Sequence, residues 1–510
     1  MKSHKLFTLA LAGTLAVATS CKKDLLNQAN PNTLSVAQFW LTASDANKGV
    51  IASYSGIQQY GVYDHCWQFM AARSDESYSQ SPFVELAVFT RFIQANNLFF
   101  ISAFAWNDYY RTIYRTNQAL HHIPDITMDA TLKAQYIAEA RFIRALMYYD
   151  LDSFFGNVPL ITEDPTVTTR VKQVTPAEVE AQVIADLQAA IPDLPTAYPA
   201  ADLGRATKYA AQALLAKMYM QQHKYTEAST LMAGIISSGK FSLVPSYLDN
   251  FTESNENNSE SIFEVQYTGS VLDVGQGQDN ASSSEGYDRP NFFGPPIYSF
   301  ADVQPRQSLT ASFTDSTVAL VPGTKKHAID PRRDISIISV LNPDKFYGKT
   351  FTQLGYNPSQ QYWRKYLNDR TRTTPENFTS GINYRLIRYA DILLLQAEAL
   401  NELGQTAAAV PLVNQVRARV GLGPVPAANT ASQTALRLYM RDERGRELAG
   451  ENVRWYDIVR WGLLDNQDGL NYLIARDPDF TNFVLGKSKL LPIPQTDIDL
   501  DPNIKQNPGY

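Results

Sequence analysis

The 510-residue chain holds two cysteines, Cys21 and Cys66, and six histidines, and each shortage removes a class of protein. Two thiols cannot staple a loop-rich small scaffold, so a core must hold this fold. The histidines are scattered. The adjacent pair His121 and His122 points to different sides of a helix, a poor start for a zinc site. No G-x-S-x-G nucleophile elbow occurs. "GQGQDN" and "GLGPVP" lack the strand–glycine–helix setting of a phosphate loop and read as turns. Asp273 and Asp279 in "DVGQGQDN" offer oxygens to calcium, but not at EF-hand spacing. No metal or cofactor is expected. The formal net charge is -6 and no long Lys/Arg block is present, so no nucleic-acid partner is expected.

Long apolar runs are missing too. "MKSHK" precedes "LFTLALAGTLAVA", about 13 residues, too few to span a bilayer core of roughly 30 Å as a helix. Residues 1–20 therefore read as a secretory signal. Ala18, Thr19 and Ser20 lead into Cys21, which resembles a bacterial lipobox with Cys21 as the lipidated N-terminus of the mature chain. "CKKD" resembles the charged signals that send lipoproteins to the cell surface. Acyl chains supply membrane affinity at about 0.8 kcal/mol per buried methylene. The alternative is a secreted protein with an incidental cysteine. With Cys21 lipidated, Cys66 has no disulfide partner.

After a polar tether (21–35), helical periodicity fills 36–238. "WNDYYRTIYRTNQALHHIP" sets Trp106, Tyr110, Ile113, Tyr114, Asn117 and Leu120 on one stripe. "AQYIAEARFIRALMYYDLDSFF" predicts a long amphipathic helix ending at Gly156. Thr175, Pro176 and Glu178 form a capping-box arrangement. Two helical pairs, one around "QQHKY" and one broken at Gly404, approach the roughly 34-residue length of a tetratricopeptide repeat. Residues 239–510 form the remainder, packed with the first part as one body. Its first stretch, to about 375, is rich in Gly, Pro, Ser and Asn and reads as short strands and loops, with "ESIFEVQY" alternating like a strand. The fold class is mainly α: a tetratricopeptide-like scaffold with irregular loops.

"YMRDERGRELAGENVRWYDIVRWG" carries five arginines, five carboxylates and two tryptophans. On a helix over 432–449, Tyr439, Glu443 and Glu447 share a face, so the carboxylates are at least partly buried and need cations. Arg441, Arg444, Arg446, Arg454 and Arg460 are the nearby candidates, with Asp457 spaced to pair from the next helix. A retaining glycosidase needs two carboxyls roughly 5–5.5 Å apart that flank the bond. Two acids on one helix face project from the same side, so the structural reading is preferred.

The sequence resembles the SusD/RagB family of outer-membrane nutrient-binding lipoproteins. The resemblance runs through "EARFIRALMYYDLDSFFGNVPL", "ESIFEVQY", "DPRRDISI" with "YWRKYL", "YRLIRYADILLLQAEALNELG", "ERGRELAGENVRWYDIVRWG" and "LDPNIKQNPGY", in that order. It implies a helical frame with ligand-bearing loops and a SusC-type TonB-dependent barrel as partner. It also implies a non-catalytic role: capture of a glycan or other nutrient at the outer membrane, held there by a lipid anchor, and delivery to that barrel.

Sugars present flat C–H faces that stack on rings, and hydroxyls that need polar partners beside them. Two loop segments combine both features. One contributes Trp67, Tyr78 and Phe83, the other Tyr287, Asp288, Arg289, Asn291, Phe292, Phe293 and Tyr298; these form the candidate ligand site. Trp106, Trp455 and Trp461 read as packing residues, and Trp363 falls in a putative strand. The rival readings are a secreted glycoside hydrolase using Glu443, and a tetratricopeptide scaffold that recruits protein alone.

Overall fold

Helix boundaries follow their capping residues. In the computed structural model, residues 39–64, 66–93, 100–163, 171–269, 285–314, 330–376 and 378–510 are described. The signal segment, the tether with Cys21, and Asp273 and Asp279 lie outside them. Thr42 and Asp45 close a capping box on α1, Ala43–Ile57. After the short α2, Cys66–Ala71, come the long α3, Phe100–His122, and α4, Ala130–Phe155. Helix α4 stops at Gly156, whose φ of +69° suits glycine; a Cβ there would also lie 2.8 Å from Leu490. Helix α5, Pro176–Ala190, starts as expected, the Thr175 N–H donating to the Glu178 carboxylate at 2.9 Å.

The paired helices are present. Helix α6, Lys208–Gln221, packs on α7, Tyr225–Ser237. Later in the chain α9, Tyr389–Glu402, packs on α10, Thr406–Arg419, after the short α8, Arg289–Phe293. Ala210, Ala213 and Ala216 are fully buried on α6, which lets neighbouring axes come close. Pro411 is the sixth residue of α10, in the second turn rather than the first, so it forgoes the hydrogen bond that an N–H there would give to Ala407 O. Helices α11, Gln433–Glu447, and α12, Arg454–Arg460, carry the charged motif, with Ser432 capping α11.

Strands are short and paired two by two, all antiparallel. They are β1 (Ser77–Tyr78) with β5 (Gln304–Pro305), β2 (Val158–Pro159) with β3 (Gln173–Val174), β4 (Ser261–Val265) with β8 (Tyr384–Arg388), and β6 (Ile337–Ile338) with β7 (Tyr362–Trp363). Trp363 is thus a strand residue and fully buried. One apolar cluster runs from Ile57 to Ile504 and includes residues of both halves. Among the described residues no helix is long and apolar enough to cross a membrane. One expectation for α3 needs correcting: Tyr114 is 44% exposed, while Thr112, Thr116 and Ala119 are buried. The helix is covered on several sides, and short polar residues beneath α1 seal the face the ring stripe left open; Thr112, for example, sits against Gly56.

Candidate functional site

The charged motif is interior. Glu443 and Glu447 on α11 are 0% exposed. Arg332 Nη1 donates to both, at 2.7 Å to Glu443 and 3.0 Å to Glu447. Glu443 also accepts from Arg417 (3.1 Å) and Arg446 (3.0 Å), and Glu447 from Arg388 (3.1 Å) and Arg419 (2.5 Å). Arg388 continues the lattice to Glu260 and, through two bonds, to Glu451. Of the five neighbours expected as partners, Arg446 alone pairs with either glutamate. Arg444 forks onto Asp457, Arg454 onto Asp75 and Arg460 onto Glu398, while Arg441 lies over the Trp461 ring at 5.1 Å. The planar guanidinium allows these two-bond contacts.

Burial alone would push both glutamates up. The surrounding arginines outweigh it: Arg332, Arg446 and Arg417 hold Glu443 far below the carboxylate range, and Arg419, Arg388 and Arg332 hold Glu447 at about 2. A general acid needs the opposite shift, and neither oxygen pair meets solvent, so these two residues are braces. The folded state therefore binds their protons less readily than the unfolded chain. Their stabilisation is complete above the ordinary value of 4.5 and drains as pH falls toward about 2. Thermal melts from pH 7 to pH 3 should show a midpoint that falls steeply below about pH 4.5. A flat profile would contradict the brace.

The loop candidates divide into covered and open residues. Trp67 is 2% exposed in α2 and donates its indole N–H to Tyr456 at 2.9 Å. Tyr287 is stacked on Tyr267 at 4.7 Å and hydrogen-bonded to Gln68, with no exposure. Arg289 is buried between the Phe293 and Tyr366 rings, its guanidinium 4.0 and 5.3 Å from their centroids. Phe293 is stacked on Phe69, and the Asp288 side chain is buried as well. These five offer no face to a ligand in this conformation, a correction to the expected set. The cause is local: "RPNFF" coils into α8 and docks on α2, so a stretch whose composition reads as loop is folded inward.

Phe83, Phe292, Tyr78 and Tyr298 keep some surface. Phe83 is 38% exposed and Phe292 partly so. Tyr78 is hydrogen-bonded to Gln304 and covered by Arg306 at 4.5 Å, and Tyr298 stacks on Tyr347 at 4.3 Å. Two rings not singled out complete the surface: Phe300, 57% exposed, and Phe378, partly exposed. Phe292, Phe300 and Phe378 form a triangle with centroid separations of 5.7, 6.0 and 6.1 Å, and Phe69 sits edge-on beneath Phe292.

Asn291 organises this group. Its carbonyl oxygen accepts from Phe300 N–H at 2.7 Å and its side-chain oxygen from Phe378 N–H at 2.8 Å. Ser81 donates to Asp302, whose own N–H reaches Phe292 O at 2.7 Å, so the loop that bears Phe83 is tied to the triangle. Phe83 in turn meets Phe100 at 6.4 Å. Ile297 and Phe378 hold left-handed φ of +79° and +63°. Bulky residues persist there only when surrounding packing over-determines them. Phe300 was within reach of the sequence, as the last residue of "EGYDRPNFFGPPIYSF". Phe378 had no signal beyond a ring among polar residues.

Comparison with known proteins places this architecture. The SusD family pattern matches residues 349–510, and a second one, described as "Starch-binding associating with outer membrane", matches 85–220. Two SusD-like proteins of Formosa agariphila align with the chain. One is 30% identical over 433 residues, covering 79% of each chain, and the other 28% over 479 residues, covering 89% of this chain and 90% of its own. The structure of a laminarin-binding SusD-like protein superposes with TM-score 0.76 at 29% identity, over 92% of this chain and all of its own. A SusD superfamily protein from Bacteroides vulgatus superposes with TM-score 0.80 at 24% identity, over 92% and 100%. With the paired helices and the relative at 30% identity in agreement, the chain belongs to the SusD family.

Proposed function

We propose that this protein is a non-catalytic outer-membrane lipoprotein that captures a glycan and delivers it to a SusC-type TonB-dependent barrel. The observation that carries the reading is the open ring surface, where Phe292, Phe300 and Phe378 converge from two separate segments and the loop bearing Phe83 is tied to them through Ser81 and Asp302. Rings held by main-chain bonds rather than by long flexible side chains lose little entropy on binding. That suits sugars, whose C–H faces want flat apolar area and whose hydroxyls want exchangeable polar neighbours. The laminarin-binding relative at 29% identity and the starch-binding description over residues 85–220 support the same ligand class. That description also supports the outer-membrane location.

The testing experiment pairs binding with turnover. Purified protein, titrated calorimetrically against a polysaccharide panel, binds at least one member, and reducing ends do not accumulate on long incubation. Sugar release by the pure protein would overturn the non-catalytic reading. Retention of no polysaccharide would overturn glycan capture. The anchor rests on Cys21 in its lipobox-like setting. Cys21→Ala should move the protein from the membrane pellet to the soluble fraction with an unchanged melting temperature. A variant still fully in the pellet would contradict the anchor. Affinity purification from native membranes should co-isolate a barrel of the TonB-dependent class.

A further inference from the structure

A second feature lies away from the ring surface. An open cleft of about 290 Å³ runs between the connection from α5 to α6, the turn after α7 and strand β4. That volume is near the lower end of the roughly 300–1,000 Å³ typical of small-ligand sites. None of its lining belongs to the segments that carry Phe83, Phe292, Phe300 or Phe378.

The lining mixes apolar area with polar groups. Leu203 is 53% exposed, and Phe241 is partly exposed, braced by Tyr209 at 5.5 Å and Tyr389 at 6.3 Å. Lys240, Asn257 and Ser259 bring hydrogen-bonding groups to the same space. Lys240 makes no ion pair among the described residues. Asn257 is fixed in a left-handed conformation (φ +50°) with its N–H on Glu264 at 3.0 Å. Its side-chain amide exchanges two bonds with that of Gln266, at 3.0 and 3.2 Å. A primary amide so engaged keeps further donor and acceptor capacity. Gly204 is required at this wall: its φ is +94°, and a Cβ would stand 2.4 Å from Gln266 Cγ. The polar edge is therefore built before a ligand arrives.

We propose that this cleft is a second carbohydrate site, taking a short segment or chain end of about one or two sugar units. This rests on the glycan reading above, and it adds a function to a different part of the molecule. A cleft of this small volume suits a terminus or a branch, whereas an extended ring surface suits the middle of a chain. Strand β4 lines the cleft and leads within two residues to Tyr267, which stacks on Tyr287 just before α8. Both sites thus stand on one rigid support. A polysaccharide that engages both gains by effective concentration, while a short oligosaccharide occupies them independently.

The test is crystallographic, with soaks of laminarihexaose, maltohexaose and a galacturonic-acid hexamer run separately. Sugar ordered in the cleft is the expected result. Sugar on the ring surface alone overturns the cleft and leaves the ring reading intact. Sugar in the cleft alone keeps the cleft and overturns the ring surface, and sugar at neither overturns both. In solution, Leu203→Asp removes the apolar side of the mouth from an exposed position and should leave folding unchanged. Affinity for a polysaccharide bound by the unmodified protein should fall about tenfold or more. An unchanged affinity would overturn the proposal.

Discussion

Replacing Arg332 with methionine should cost about 3–5 kcal/mol of stability, the range found when one partner of a buried ion pair is removed. Arg332 is fully buried, holds Glu443 and Glu447 through one nitrogen, and grips Asp330 through Nε and Nη2. Methionine fills much of the space but leaves three carboxylates with fewer cations. Against a total stability of about 5–15 kcal/mol the loss is large. Urea denaturation followed by circular dichroism measures it. Lys48→Met is the control: this ammonium pairs with Asp45 at 3.3 Å but its side chain is 63% exposed. Its removal should shift stability by less than about 1 kcal/mol. Equal, small effects at the two positions would contradict a load carried by the buried lattice.

Phe293 and Phe300 are seven residues apart and should respond in opposite ways. Phe293 is 1% exposed, stacked on Phe69, with the Arg289 guanidinium over its ring. Truncation to alanine should cost about 3–5 kcal/mol of folding stability. Phe300 is 57% exposed. Its truncation should leave stability within about 0.5 kcal/mol and weaken glycan binding at least about tenfold, or 1.4 kcal/mol. Calorimetric titration of both variants separates the outcomes. Full affinity in Phe300→Ala would remove this ring from the ligand surface.

These contrasts explain what was legible in the sequence. The capping box at Thr175, the stop at Gly156 and the break at Gly404 are local signals, and the helices begin and end beside them. The two paired repeats were readable for the same reason. The interior position of Glu443 and Glu447 followed from their sharing a helix face with Tyr439. Their partners did not follow, because Arg332, Arg388, Arg417 and Arg419 come from other segments and no local spacing announces them. The loop rings failed differently. Gly, Pro, Ser and Asn signal irregular backbone, not exposure, and the coiling of Arg289–Phe293 against α2 turned Arg289 and Phe293 inward. Phe300, on the same stretch, stayed outside because the Ile297 and Ala301 turns, at φ +79° and +52°, re-aim the chain.

A single thermal-shift series separates bracing from gripping most directly: unmodified protein, Arg332→Met and Phe300→Ala, each melted with and without a bound glycan. A ligand that binds the folded chain alone stabilises it by RT ln(1 + L/Kd) at free ligand concentration L, so the midpoint keeps rising with ligand concentration. Arg332→Met should melt far lower yet keep its ligand-induced rise. Phe300→Ala should melt where the unmodified protein does and lose most of that rise. The reverse pattern, with the rise abolished by Arg332→Met in a chain still folded and untouched by Phe300→Ala, would contradict the account.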